Sequence, residues 1–285
     1  MPDRWSRRSL LKLVSLALPF GGFSFRPRMA GFEPAEKDDS SGREAVTDQF
    51  PMQPPELARE MVTVSHFDLK RVWELVEARP SLARASWDWG FGDWESALGA
   101  ASHMGNRPIA EYLISMGARP SLFSAAMLGQ LEVVKAFVAA SPYAQRIRGP
   151  HGISLLAHAK AGGEQARPVF EFLQSLGDAD ADPPVPLSDS EIAAVAGTYL
   201  FGIGASQQID VTPERRESVS PMYSPVTWTR KGMMGRPLVH VGDRSFYPAG
   251  APSVRIRFTE EGASLVMTIY DPEVVLVAQR KQSPK

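Results

Sequence analysis

From residue 57 to residue 177, apolar side chains recur at helical spacing in short runs that stop at a glycine or an acidic residue. The clearest unit begins at Ser96-Ala97-Leu98-Gly99-Ala100-Ala101, turns at Gly105, and continues with a stripe carried by Ile109 and Leu113 up to Gly117-Ala118. Similar runs occupy 123–138 and 152–177, and a looser copy occupies 61–82 with Asp68 in the turn. Alanines let a first helix lie close to its neighbour, and the glycine permits the tight turn into a second. Val72, Ile109 and Val133 share one position, and Val76, Leu113 and Phe137 another. Both sets are expected to be buried, because each helix pair can cover its apolar stripe only against the next pair.

Beyond residue 178 the period changes. The segment 178–190, with Asp178, Asp180, Asp182 and adjacent prolines at 183 and 184, has no apolar face and reads as a linker. Strand-like runs follow at 198–201, 208–211, 226–229, 238–241, 254–258, 265–270 and 274–278. In the fifth, Val254, Ile256 and Phe258 alternate with Arg255 and Arg257, which assigns a buried and an exposed face. The expected fold class is multidomain α plus β: a helical repeat stack over 57–177, then a small antiparallel barrel or sandwich over 191–281.

The unit from Ser96 to Ala118 resembles the ankyrin repeat, T-P-L-H-x-A-A-x-x-G-x-x-x-V-V-x-x-L-L-x-x-G-A, with Ser96-Ala97 in place of Thr-Pro. The turn positions 68, 105, 129 and 163 are spaced 37, 24 and 34 residues apart, against an ankyrin period of about 33. The short interval implies a lost finger, the first a longer loop. Gly197-Thr198-Tyr199, Phe246-Tyr247-Pro248 and Val277-Ala278-Gln279-Arg280 resemble the lipocalin-like domain found behind β-lactamase-type serine hydrolases. That resemblance implies an accessory or ligand-binding role.

Residues 1–35 are expected to be a signal peptide: Ser6-Arg7-Arg8-Ser9-Leu10-Leu11-Lys12 resembles the twin-arginine consensus, with Arg7 and Arg8 as its pair, and an interrupted apolar run follows. This implies periplasmic or secreted localisation with no stable membrane span after export, since that run falls short of about 20 apolar residues. Residues 36–56, rich in Pro, Asp and Ser, read as a flexible tether. Formal charge is -1 overall, and the leader carries much of the positive charge. The acidic remainder argues against a nucleic-acid partner. Absence of cysteine excludes disulfides, thiol catalysis and Cys-ligated zinc.

No nucleophile elbow, phosphate loop or H-E-x-x-H is present, and the one Ser-x-x-Lys, Ser9 to Lys12, lies in the leader. The histidines at 66, 103, 151, 158 and 240 show no i, i+4 pair, and Asp88, Asp93 and Glu95 do not match a calcium loop. No catalytic residue, cofactor or metal is therefore expected. The loop Trp87-Asp88-Trp89-Gly90-Phe91-Gly92-Asp93-Trp94-Glu95 and the segment Arg146-Ile147-Arg148 stand out. Trp87, Trp89, Phe91, Trp94, Arg146, Arg148 and His151 are the candidate partner-binding residues. Alternatively, Trp87 and Trp94 only cover helix ends.

The expected function is that of an exported protein-binding or scaffold protein. A rival is an accessory or cryptic hydrolase-associated protein with a ligand pocket in the β domain or convergent titratable groups at the domain junction. A third possibility, simple docking of the repeats onto the β domain, requires a large apolar interface. On the binding expectation, Trp89→Ala weakens partner capture while leaving the thermal midpoint nearly unchanged; a large drop in that midpoint assigns the tryptophan to packing.

Overall fold

The helical half is a row of four helix pairs: α1 (Pro55–Val64) with α2 (Leu69–Ala78), α3 (Ala97–His103) with α4 (Arg107–Ser115), α5 (Leu122–Met127) with α6 (Leu131–Ala140), and α7 (Leu155–Ala161) with α8 (Arg167–Ser175). This is a computed structural model, which describes residues 51–180, 183–262, 264–272 and 274–282. The expected signal peptide with Arg7 and Arg8, and most of the expected tether, lie outside these residues; the helical part begins at Pro55, inside the stretch assigned to the tether. No described helix is long and apolar enough to cross a membrane.

Local chemistry explains where these helices start. Ser96, Ser121 and Ser154 accept hydrogen bonds from the backbone N–H groups of Gly99, Ser124 and Ala157, capping α3, α5 and α7. Asp68, which stands where the other units have a turn glycine, caps α2 through the N–H of Arg71. Gly105 has a left-handed backbone (φ 68°), and a Cβ there would run into the carbonyl oxygen of Ala161 in α7. This glycine thus serves both the turn and the close approach of two inner helices.

The expected stripes hold in the first two pairs, where Val72, Val76, Ile109 and Leu113 are all buried. They fail in the third. Val133 and Phe137 are 50% and 45% exposed, and Val134 is the buried residue of α6. Because α6 turns its inner side towards α5 and α8, the stripe is displaced by one residue, or about 100° around the helix. The long first interval is also not a plain loop. It folds into a hairpin of β1 (Ser86–Asp88) and β2 (Trp94–Ser96), with Trp87 opposite Glu95.

The eight strands that follow, β3 (Gly197–Phe201), β4 (Gln207–Pro213), β5 (Val226–Arg230), β6 (Arg236–Gly242), β7 (Ser245–Pro248), β8 (Arg255–Glu261), β9 (Ser264–Asp271) and β10 (Val274–Arg280), close into an antiparallel barrel. Each pairs with the next in sequence, and β10 returns to β3. Seven strands were expected; the eighth is β7, at the Phe246-Tyr247-Pro248 run. Alternation in β8 is as expected, with Ile256 and Phe258 buried and both arginines outside. Side chains fill the interior: Tyr199 and Phe246 pack against Phe258 at ring distances of 5.5 and 5.6 Å, among Trp228, Leu238 and Ile256. A short helix, α9 (Asp189–Val195), starts inside the stretch expected to be linker and caps one end, where the Tyr199 hydroxyl donates to the Val195 carbonyl at 2.6 Å.

Helical part and barrel belong to one compact unit, Thr47–Lys285. Gly105→Ala should therefore cost more than left-handed strain alone. Gly117, also left-handed (φ 90°) but with nothing within 4 Å of a Cβ, is the control. Urea unfolding should show about 1–2 kcal/mol lost in Gly117→Ala and a further ~1–3 kcal/mol in Gly105→Ala from forced displacement of α7; equal losses would contradict the inter-helix contact.

Candidate metal centre

At the middle of the helical half stands a carboxylate with no access to solvent. Glu95 lies on β2, where strand alternation turns Trp94 outwards and Glu95 inwards. Trp89, the residue after β1 in the same hairpin, donates its indole N–H to Glu95 Oε2 at 2.8 Å. Three imidazoles converge on the same carboxylate. His103, the last residue of α3, sets Nε2 2.9 Å from Oε1. His66, in the turn after α1, sets Nε2 3.5 Å from Oε2. His151, in the Pro150–Gly152 turn, sets Nε2 3.4 Å from Oε2. The donor atoms of these four residues all lie within 4.8 Å of one another.

The hydrogens follow from the partners on the far side of two rings. His66 Nδ1 faces the carbonyls of Val62 and Thr63, both at 3.0 Å, which can only accept. His151 Nδ1 lies 2.7 Å from Asp93 Oδ2, again an acceptor. Each Nδ1 therefore carries a hydrogen; Nε2 offers a lone pair when the ring is neutral and carries a second hydrogen when it is charged. Separations of 3.4 and 3.5 Å are longer than the usual charge-assisted hydrogen bond, about 2.7–2.9 Å. These two lie close to the edge of a coordination tetrahedron, about 3.4 Å for ligands about 2.1 Å from the ion, while His103 stands nearer, at 2.9 Å, and the whole donor set spans 4.8 Å.

Asp93, 3% exposed, is the partner that orients His151: it also accepts the His151 backbone N–H at 2.9 Å and faces Arg236 of β6 at 2.7 Å. The barrel comes close here because residue 250 is glycine (φ 81°); a Cβ there would strike the Asp93 carboxylate. His151 itself is left-handed (φ 59°), a strained conformation for a residue with a side chain.

Charge balance within the cluster is tight. Burial pushes the Glu95 carboxyl up, but hydrogen bonds from His103 and His151 outweigh it and hold it well below the usual range. Burial alone would lower the His151 ring; hydrogen bonds to Asp93 and Glu95 outweigh it and hold the ring at about 9. Burial lowers His66, although Glu95 opposes it. Asp93 is held low, its burial offset by the hydrogen bond and charge of His151 and by Arg236. With neutral imidazoles, Glu95, Asp93 and Arg236 leave one net negative charge, which a proton or a cation among the donors offsets.

The other histidines stand apart from the donor set. His158 is fully buried, donates to the Ser154 carbonyl, and is lowered to about 4 by burial; its Nε2 has no partner. His240 belongs to β6, where its Nδ1 meets the Val185 carbonyl. Two cavities, of about 410 and 250 Å³, lie at the junction and share His151, Tyr223 and Ala249 as lining residues.

The candidate partner-binding residues are dispersed. Trp87 and Trp89 pack against the helical core, and Phe91 packs on Trp228 of the barrel at 5.6 Å. Trp94 is 64% exposed, so it does not cover a helix end. Arg148 donates to the Gly152 carbonyl, Arg146 is at the surface, and His151 is in the donor cluster. Linear spacing, which suggested no metal site, did not reveal the cluster because the donors sit 29, 8 and 48 residues apart. One signal was available. His66 and His103 each stand two residues before the turn position of their unit, at 68 and 105, and equivalent positions of adjacent helix pairs are neighbours: the rings are 4.9 Å apart.

No protein-family model, curated protein or solved structure matches the chain.

Because Trp89 supplies a hydrogen bond to a buried charge and packs on the helical core, Trp89→Phe should lower the unfolding free energy by about 1–3 kcal/mol. Thermal and urea unfolding check this, and an unchanged midpoint would return Trp89 to the role of a surface contact.

Proposed function

We propose that this chain is a metal-binding protein in which His66, Glu95, His103 and His151 hold one divalent ion of the zinc class. The observation that carries this is the convergence of one donor atom from each of these four residues, all within 4.8 Å of one another around a buried carboxylate. A three-imidazole, one-carboxylate set suits Zn²⁺ or neighbouring transition metals. It suits calcium and magnesium poorly, since both prefer all-oxygen shells. Four protein donors complete a zinc tetrahedron, the arrangement of ions that hold structure together.

In this proposal the helix pairs are an ankyrin-like array, and the twin-arginine leader sends the protein to the periplasm or beyond. Paired helices with capped starts and a glycine turn against the next inner helix support the ankyrin-like part. A protein-binding role has its own support: Leu69, Lys70, Trp73, Pro108 and Tyr112 line a shallow, apolar depression on α2 and α4, with Trp73 52% exposed. A ligand pocket within the barrel is less well supported, because Tyr199, Phe246, Phe258 and Trp228 occupy the interior.

Protein stripped with a chelator should take up one equivalent of Zn²⁺ or Co²⁺ by calorimetry, with Co²⁺ giving the visible bands of a tetrahedral site. At free Zn²⁺ 100 times its Kd the fold should gain about 2.7 kcal/mol, raising Tm by roughly 5–10 °C. Glu95→Gln and His103→Ala should each weaken binding by more than about 100-fold, beyond what loss of an outer hydrogen bond costs, whereas His240→Gln should not. Failure of the wild-type protein to bind either ion would end the proposal.

A further inference from the structure

The barrel contributes no donor to the four-residue cluster, yet two of its side chains hold one of the donors, His151: Tyr223 directly and Arg236 through Asp93. Arg236 on β6 is 5% exposed; its Nη2 lies 2.7 Å from Asp93 Oδ2 and also donates to the Ala249 carbonyl. Asp93 accepts both the backbone N–H and the Nδ1–H of His151, at 2.9 and 2.7 Å. Tyr223, ahead of β5, donates its hydroxyl to the His151 carbonyl at 2.7 Å. His151 is thus held at its amide, its carbonyl and its outer ring nitrogen, which leaves Nε2 directed at Glu95.

We infer that the barrel is the outer shell of the metal centre, with Arg236 and Tyr223 acting as positioning residues that set ion affinity through Asp93 and His151. This rests on the metal reading above and deepens it. A histidine ligand performs best when its second ring nitrogen donates to a carboxylate, which selects the tautomer and the ring orientation. Here that carboxylate is itself buried and needs a counter-charge, and Arg236 is the cation beside it. Tyr223 acts on the backbone instead, holding the left-handed turn at His151 that points the ring inwards. Neither residue touches the ion, so removing either one leaves all four donors in place and alters only how well the fourth is aimed. By linkage, whatever the barrel contributes to holding the ion, the ion returns to holding the barrel.

The test uses the full chain with Co²⁺ as the probe and Zn²⁺ in competition. Arg236→Gln should weaken both ions about 10- to 100-fold and move the visible Co²⁺ bands, because one imidazole is no longer oriented. Tyr223→Phe should weaken them several-fold in the same direction. Arg257→Gln, on the outer face of β8 and over Tyr270, should leave affinity and spectrum unchanged. Folded Arg236→Gln and Tyr223→Phe proteins with wild-type affinity and bands would overturn the inference, even if they melt earlier. Should Arg236→Gln not fold, Tyr223→Phe alone decides, and wild-type behaviour from it overturns the inference. Wild-type protein that binds neither ion would bring down the metal reading and this inference together; binding that ignores both variants brings down only this one.

Discussion

Taking a carboxylate out of water costs several kcal/mol unless charges and donors replace the solvent, and the arrangement around Glu95 is the answer this chain gives to that cost. An indole from the same hairpin and imidazoles from three other places in the chain surround it. They come from the turn of the first helix pair, from α3, from the Pro150–Gly152 turn between α6 and α7, and from the hairpin itself. The carboxylate therefore ties together segments from separate units of a stack in which each helix pair packs chiefly on its neighbours.

The same logic extends outward to the barrel. A plain docking surface would be apolar, but the meeting point contains Asp93, Arg236, His151 and Tyr223, joined by bonds of 2.7–2.9 Å. Buried ion pairs contribute little net stability, since desolvation offsets much of the attraction. What they supply is a required register: Arg236 has one buried carboxylate within reach, and Gly250 must lie against it. A junction of this kind specifies how the barrel sits more than how strongly it holds.

The filled barrel fits that role. Its inner side chains form one continuous cluster with Tyr199 and Phe246 fully buried, as expected when eight strands close. Its contribution to the junction comes from β6 and the segment before β5, on the side where Arg236 and Tyr223 reach the His151 turn. The chemistry of the molecule thus concentrates between its two halves, outside the barrel lumen and inside the row of helices.

Periodicity in the sequence by itself determined the broad plan, because it is a local property. Apolar recurrence at helical spacing marks the helix pairs, and alternation such as Val254, Ile256 and Phe258 marks strands; both reflect geometry repeated every few residues. Serine and aspartate at 96, 121, 154 and 68 act as caps for the same reason. Only the tertiary structure decided the rest. Rotation of α6 by one residue exposed Val133 and Phe137; closure of β10 onto β3 made a barrel of the strands; and Glu95 met His66, His103 and His151 across as many as 56 residues of chain. Such contacts depend on how whole elements pack, and no short window of residues encodes them.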